Sequence, residues 1–512
     1  MVETMLAVGA LAATVFAAIG GAVVGRWSAD LGSRIAVYLT AIGWIAAICL
    51  ALLRIVTPGV KGTAGVALPG LTIDRLAVLM LVLVLGLSTL IQFFAVRYLR
   101  GDPRQVWFVV TANLVTAATA LMVCASTVLG FGLAWIAAGA SLIALLATYS
   151  HLPQARDGVR RTAIRFAVGD LPLIVVVVVL LVIAGGDVAF ADLGRSMAAL
   201  PPALATALAI LLVVPALARS SQVPFHGWLP ATLAAPTPVS ALMHAGVVNA
   251  GAILILRFSP AIGESVIAMA VVFCAGALTL GFASAVRLVK PDVKGRLVFS
   301  TMAQMGFMML ACGMGAFAAA VFHLIAHGLF KSTLFLSAGS GIARDAQQRA
   351  WPSRQRVRWP QATASLALAV AVPIGSIIGA RVLLGIQLTP ASQALQIFVV
   401  FTAAVALGTT LLAHFSTTTA TLGSLGIVML TFGYTALISV FDSTLRFAPA
   451  PAAVNAWWLI VPGGALLVLQ LLQHVRSGTR ISHRLYARAL AAGTPITGAS
   501  RHPINSPEGA LL

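Results

Sequence analysis

The sequence predicts an all-α membrane protein that crosses the bilayer about fifteen times, with helices long enough for a hydrocarbon core of about 30 Å. Three observations predict it. The 512 residues are 60% hydrophobic and 9% charged, against about 25% charged in an ordinary soluble domain. Apolar runs of roughly 20 residues, the length of a spanning helix, recur from end to end and leave no stretch for a large soluble domain. Basic residues gather in alternate short loops, the signature of loops retained in the cytoplasm.

In order, the predicted spans are 5–25, 35–55, 74–96, 106–126, 127–148, 166–185, 203–222, 239–257, 264–287, 297–315, 317–341, 362–385, 394–414, 418–441 and 455–474. The first run carries only Glu3 ahead of it and lacks a basic n-region, so it is expected to be a span rather than a signal peptide. Positive charge follows the odd-numbered spans: Arg26 and Arg34, then Arg97, Arg100 and Arg104, then Arg156, Arg160, Arg161 and Arg165. Later come Arg287, Lys290, Lys294 and Arg296, then Arg344 to Arg358, and the tail from Arg476 to Arg501. Loops after even-numbered spans are poor in such residues, apart from Arg54, Lys61 and Arg75 after the second. The expected topology therefore has the amino terminus outside and the carboxyl terminus in the cytoplasm. The net charge of +19 reads as a topology signal with contacts to membrane lipids, not as a nucleic-acid surface.

Several chemistries have no visible apparatus. Cys49, Cys124, Cys274 and Cys312 all fall in predicted spans and form no CxxC pair, so neither a disulfide framework nor a bound metal is expected. No P-loop, dinucleotide fingerprint or haem-attachment motif occurs. ATP hydrolysis and redox chemistry therefore have no visible basis, and no cofactor is expected in this chain.

Ionisable groups at membrane depth cost roughly 2.5–3.5 kcal/mol on insertion scales, and chains that keep them generally use them. The eleventh span holds His323, His327 and Lys331 at intervals of four, along one otherwise apolar helical face. A metal site lacks a carboxylate or thiolate partner here. Structural histidines with a snorkelling lysine are the bland alternative, but Lys331 is too central to snorkel easily. A proton relay fits the residue types better, because histidine titrates near neutral pH and lysine, unlike arginine, can release its proton. Only four of the 32 basic residues are lysine: Lys61, Lys290, Lys294 and Lys331.

A second cluster surrounds Pro215, Pro224, Pro230, Pro236 and Pro238, which cannot all lie inside an unbroken helix. The seventh span is predicted to be discontinuous, with Arg219 at the break, His226 just after it and His244 in the eighth span. In a third element, Asp292 and Lys294 enter the tenth span. Asp170 is the one carboxylate well inside the spans of the first half, and Asp74 sits at the mouth of the third. Pro373, Gly375, Gly379 and Arg381 mark the twelfth span as a second candidate broken helix. Two interrupted spans five apart suggest inverted repeats over spans 4–8 and 9–13. The expected organisation is residues 1–105 for helices 1–3, 106–258 and 259–415 for the two repeats, 416–475 for the last two helices, and 476–512 for a basic tail.

The stretch from Ser221-Gln222-Val223-Pro224 through Trp228-Leu229-Pro230 to Pro236-Thr237-Pro238 and His244-Ala245 resembles a signature of the proton-translocating antiporter-like family. So do Asp292-Val293-Lys294, Ser300-Thr301-Met302-Ala303-Gln304-Met305-Gly306, and His323 and His327 with Lys331. That family includes the large membrane subunits of respiratory complex I and the Mrp-type sodium/proton antiporters. The resemblance implies an antiporter-like fold with inverted repeats and a hydrated polar axis near the midplane. There are departures. Where the family has Trp-Glu, this chain has Trp135-Ile136, and Arg219 stands at the partner lysine position. A twelfth-span lysine is missing, with Arg381 nearby. No counterpart of the long lateral helix is expected.

Within that family the chain is most similar to membrane subunits of two-component bacterial inorganic-carbon accumulation systems. This implies a large soluble, zinc-containing partner resembling a β-carbonic anhydrase, with the zinc held by the partner. The expected proton relay runs through His244, Lys294, His323, His327 and Lys331, supported by charges at Asp170, Arg219, Asp292 and Arg381. A respiratory or Mrp-like ion pump and a non-conducting membrane anchor are the alternatives.

Overall fold

The computed structural model describes residues 1–56, 66–337, 359–386, 389–413, 415–472 and 480–493. Lys61, the basic segment Arg344–Arg358 and the arginines at Arg476 and Arg501 lie outside the described residues.

The expected spans all appear as helical segments. They are α1 (Val2–Gly25), α2 (Ala29–Val56), α3 (Arg75–Tyr98), α4 (Gln105–Cys124), α5 (Val128–Leu146) and α6 (Pro153–Ala184). A short α7 (Leu193–Ala198) leads to α8 (Pro202–Arg219), and then α9 (Trp228–Ala231), α10 (Thr237–Ala245), α11 (Ala250–Arg257) and α12 (Ser259–Ile262) follow. The second half contains α13 (Val266–Val289), α14 (Val293–Gly313), α15 (Phe317–Leu336), α16 (Trp359–Leu383), α17 (Pro390–Ala413), α18 (Thr417–Leu445), α19 (Ile460–Leu472) and α20 (Arg480–Gly493). Thirteen spans among the described residues are long and apolar enough to cross a membrane. Two of the expected fifteen fall short for physical reasons. The helix α14 carries Lys294, Arg296, Ser300, Thr301 and Gln304, and α19 has only 13 residues.

Polar contacts sort the helix ends onto two faces. On one, Arg54 pairs with Glu3 at 3.3 Å, Arg257 pairs with Asp74, and Arg75 donates to the Thr444 carbonyl at 2.7 Å. A hairpin of β1 (Val66–Leu68) and β2 (Leu71–Ile73) closes that face, its Gly70 carbonyl accepting from the Ser126 amide. On the other, Tyr149 donates to Asp102, and Lys294 binds the backbone ahead of α10. Successive spans thus alternate in direction, as the loop charges require.

The proline-rich region breaks the seventh span as expected. Helix α8 stops at Arg219, Ser221 adopts φ 54°, and regular helix resumes only at α9 and α10. Backbone groups freed inside a membrane must find partners within the protein. Here the Val223 amide donates to Thr279 Oγ1 at 2.9 Å, and Trp228 Nε1 donates to the Ala218 carbonyl at 3.0 Å. Ser220 Oγ donates to the Val248 carbonyl at 2.7 Å, beside a second irregularity, the 3₁₀ turn Val247–Asn249 between α10 and α11. The break expected in the twelfth span is not there: α16 runs unbroken from Trp359 to Leu383 with Pro373 inside it. A single buried proline interrupts one rung of a helix that packing with α17 and α18 holds together, whereas the seventh span has prolines on both sides of a reversal.

Candidate functional site

The antiparallel helices α14 and α15 present facing rungs. Lys331, fully buried, donates to Ser300 Oγ at 2.8 Å and approaches the Leu297 carbonyl at 3.5 Å. One turn along, His327 Nδ1 lies 2.6 Å from Gln304 Oε1. Beyond that, the His323 ring meets Phe307 at 5.1 Å and stacks on His327 at 6.0 Å. Intervals of four on α15 match intervals of three to four on α14, which is why one face of each helix builds the whole row. The other ring nitrogen of His327, Nε2, lies 3.1 Å from the His244 carbonyl. The Nε2 contact calls for an N–H donated to the His244 carbonyl, while Nδ1 can donate to Gln304 Oε1 or accept from the Gln304 amide. The neutral ring keeps both contacts only if the Gln304 amide turns to present its N–H.

His244 joins this row from α10: its ring stacks on Phe335 at 4.6 Å, and its buried Nδ1 has no partner among the described residues. Lys294 does not touch Lys331. It donates to the carbonyls of Leu233 and Ala235 in the proline-rich stretch, fastening the start of α14 to the end of the break. Asp292 caps α14 by accepting from the Gly295 amide, so its side chain is committed to the helix N-terminus. Arg381 sits in the last turn of α16 and makes no hydrogen bond or ion pair with the cluster.

In the first half, Arg219 is fully buried and pairs with Asp170 of α6 at 2.7 Å. The other Asp170 oxygen accepts from Trp135 Nε1 at 2.7 Å. The guanidinium lies between the rings of Trp135 and Phe166, at 4.4 and 4.2 Å from their centroids, a cation–π sandwich. The Trp-Glu carboxylate is absent, but α6 supplies one from the next helix. The sequence singled out both Asp170 and Arg219 without pairing them, since their separation of 49 residues carries no periodic signal.

A cavity of about 560 Å³ adjoins the row and is lined by Ser284, Arg287, Ser300, Gln304, His323 and Tyr434 among others. It continues through Ser284, Arg287 and Thr402 into a smaller space of about 290 Å³ at the end of α13. Sequence reasoning also missed a buried chain across α2, α3 and α4. In it Asn113 binds Thr40 at 2.8 Å and Gln92 at 2.8 Å, and Ser88 meets Thr116 at 2.6 Å. The four-residue spacing of Ser88 and Gln92 within an apolar span was the available signal. Among the described residues no group of three or more His, Cys, Asp or Glu side chains is placed to hold a metal.

Residues 125–423 match the family model described as NADH:quinone oxidoreductase/Mrp antiporter, transmembrane, and residues 67–109 match the N-terminal region of complex I chain 5. The chain is 38% identical over 327 residues to a probable inorganic carbon transporter subunit, DabB1, of Halothiobacillus neapolitanus, covering 62% of this chain and 58% of that one. A probable inorganic carbon transporter subunit DabB of Bacillus subtilis is 33% identical over 63% of each chain. The NADH-quinone oxidoreductase subunit L of Mycobacterium tuberculosis is 35% identical over 53% of this chain and 43% of its own. The chain thus spans less than two thirds of the length of these relatives. A solved Mrp complex from Dietzia sp. has a chain of the same fold, with a TM-score of 0.57 at 24% identity, covering 96% of this chain and 52% of that one. A chain of the archaeal membrane-bound sulfane sulfur reductase scores 0.59 at 16% identity, covering 97% of both. With a family model matched across more than half its length and an antiporter-like arrangement of apolar helices, this multi-pass membrane chain belongs to the NADH:quinone oxidoreductase/Mrp antiporter transmembrane family.

Proposed function

We propose that the chain is the proton-conducting membrane subunit of an energy-coupled inorganic-carbon transporter in a bacterial inner membrane. Protons pass along His323, His327 and Lys331, with His244 joining the row to the midplane and Lys294 tying it to the cytoplasmic end. Their flow drives one-way hydration of carbon dioxide to bicarbonate on a large soluble, zinc-binding partner that resembles a β-carbonic anhydrase. The zinc belongs to the partner, and this chain contributes no catalytic residue.

The observation that carries the reading is the α14–α15 row. Buried His327 and Lys331 stand at bonding distance from half-buried Gln304 and Ser300, and His323 and Gln304 reach a cavity that leads toward one membrane face. Similarity to two inorganic carbon transporter subunits supports the substrate. In the first half, the Asp170–Arg219 pair serves as a fixed charge rather than a carrier, because arginine does not release its proton.

The test is paired. The chain reconstituted in vesicles takes up protons under an imposed potential, and cells carrying it with its partner accumulate bicarbonate. Lys331→Ala abolishes both while the protein still inserts at normal levels. Full proton uptake in that variant removes the relay. Proton uptake without any bicarbonate accumulation moves the chain to an ion-pumping role like that of its respiratory relatives.

A further inference from the structure

Around the cavity the second half concentrates positive charge with little compensating acid: Glu264 precedes α13 and Asp292 is spent capping α14. Among the described residues, α13 to α17 and α19 contain no Asp or Glu, Asp442 lies near the end of α18, and no carboxylate lines the 560 Å³ cavity. Its basic lining groups are Arg287 at the mouth and His323 at depth. Lys331 stands directly behind the wall, 2.8 Å from the cavity-lining Ser300. Buried charges in membranes normally pair with one another, and an unpaired buried charge is costly. When protonated, this cluster has only neutral oxygens to lean on, such as Ser300 Oγ and the Leu297 carbonyl.

The cavity offers what an anion needs. His323 lines the wall at depth, and Ser284, Ser300, Gln304 and Tyr434 add hydroxyl and amide donors. The space of about 560 Å³ far exceeds what one water requires, so an ion can enter with part of its hydration shell. Basic linings select anions in pores. A sodium site would instead need clustered carboxylate or carbonyl oxygens.

We propose that this cavity binds a small monovalent oxyanion as the counter-ion of the protonated α14–α15 row, with bicarbonate as the physiological ligand. The choice of bicarbonate rests on the inorganic-carbon reading above; the anion site does not. Arg287 captures the ion at the mouth, and His323 and Ser300 meet it at depth. Proton occupancy of the row and anion occupancy of the cavity then rise and fall together.

The experiment is thermal unfolding of the purified full-length chain in detergent, titrated with sodium bicarbonate, nitrate or formate against sodium chloride at equal sodium and fixed pH. A ligand of the folded state raises the midpoint with a saturating dependence on its concentration. A saturable rise with bicarbonate, absent with chloride and lost in both Arg287→Gln and Ser300→Ala, supports the proposal. Two variants at opposite ends of the cavity guard against one that fails to fold. A rise with nitrate and formate but not bicarbonate supports the anion site and removes bicarbonate as its ligand. A rise equal for all sodium salts, one that survives both substitutions, or one given only by anionic phospholipid vesicles overturns the site.

Discussion

Arg219 and Asp170 show how little a buried charge pair has to do with carrying charge. The guanidinium is held by Asp170 at 2.7 Å and by two aromatic faces, with Gly139 leaving room for it. Removing one partner of a buried pair leaves the other uncompensated and costs about 3–5 kcal/mol, whereas replacing both with apolar groups is often neutral. Arg219→Met is therefore expected to lower the unfolding midpoint markedly in detergent, and Arg219→Met with Asp170→Leu to recover most of the loss. If the pair is a fixed charge, the double variant keeps at least part of its proton flux. Loss of all flux in a well-folded double variant would place the pair inside the relay. The same distinction bears on Gln304: Gln304→Leu removes the oxygen facing His327 Nδ1 and should slow proton uptake by on the order of 10²-fold, the lower end of the 10²–10⁴-fold typical of positioned proton-transfer groups, without moving the unfolding midpoint by a similar proportion. Proton uptake at the normal rate in that variant would exclude Gln304 from the row.

At the scale of helices, the seventh span was legible because several prolines crowd one reversal, and the twelfth misled because a proline and two glycines can sit inside a continuous helix. What matters is whether the freed backbone groups have somewhere to go. Around α8 they do, and the packing there is tight enough to depend on one missing side chain. A Cβ on Gly251 of α11 would stand 2.2 Å from the Ala216 carbonyl and 2.3 Å from Ser220 Oγ. Gly251→Ala must therefore push α11 off the end of α8, in a core where overpacking typically costs about 1–3 kcal/mol. The expected result is a lower unfolding midpoint and disrupted spacing between Ser220 and Val248, hence reduced proton uptake. Gly281→Ala on α13, where nothing lies within 4 Å of an added Cβ, should leave both unchanged. Equal effects from the two substitutions would mean that close approach at the break is unimportant. Lys294 belongs to the same scale. The sequence placed it at a cytoplasmic entry, while the structure shows it bonded to the Leu233 and Ala235 carbonyls, a long-range partner that no local pattern encodes.

For the whole molecule, hydropathy and loop charge were enough to read an all-helical membrane fold, the order of the spans and the location of the α15 row, because each is a one-dimensional property of the chain. The Asp170–Arg219 pair, the Asn113–Gln92 chain and the cavity needed coordinates, since each joins helices distant in sequence. Orientation stands between these two kinds of information. Contacts place the ends of α3, α11 and α18 on one face, through Asp74, Arg257, Arg75 and Thr444, and Tyr149 with Asp102 on the other. Arg97, Arg100, Arg104, Arg156, Arg160 and Arg287 all fall toward the Asp102 face, which the positive-inside rule predicts to be the cytoplasmic one. A reporter active only outside the membrane, fused after Gly186 or after Gly263, is therefore expected to be active, and one fused after Gly101 silent. The opposite pattern would put Arg287 and the cavity mouth outside. Protons driven inward by the membrane potential would then leave the α14–α15 row before reaching any cytoplasmic partner, and coupling to carbon dioxide hydration through this face would be physically untenable.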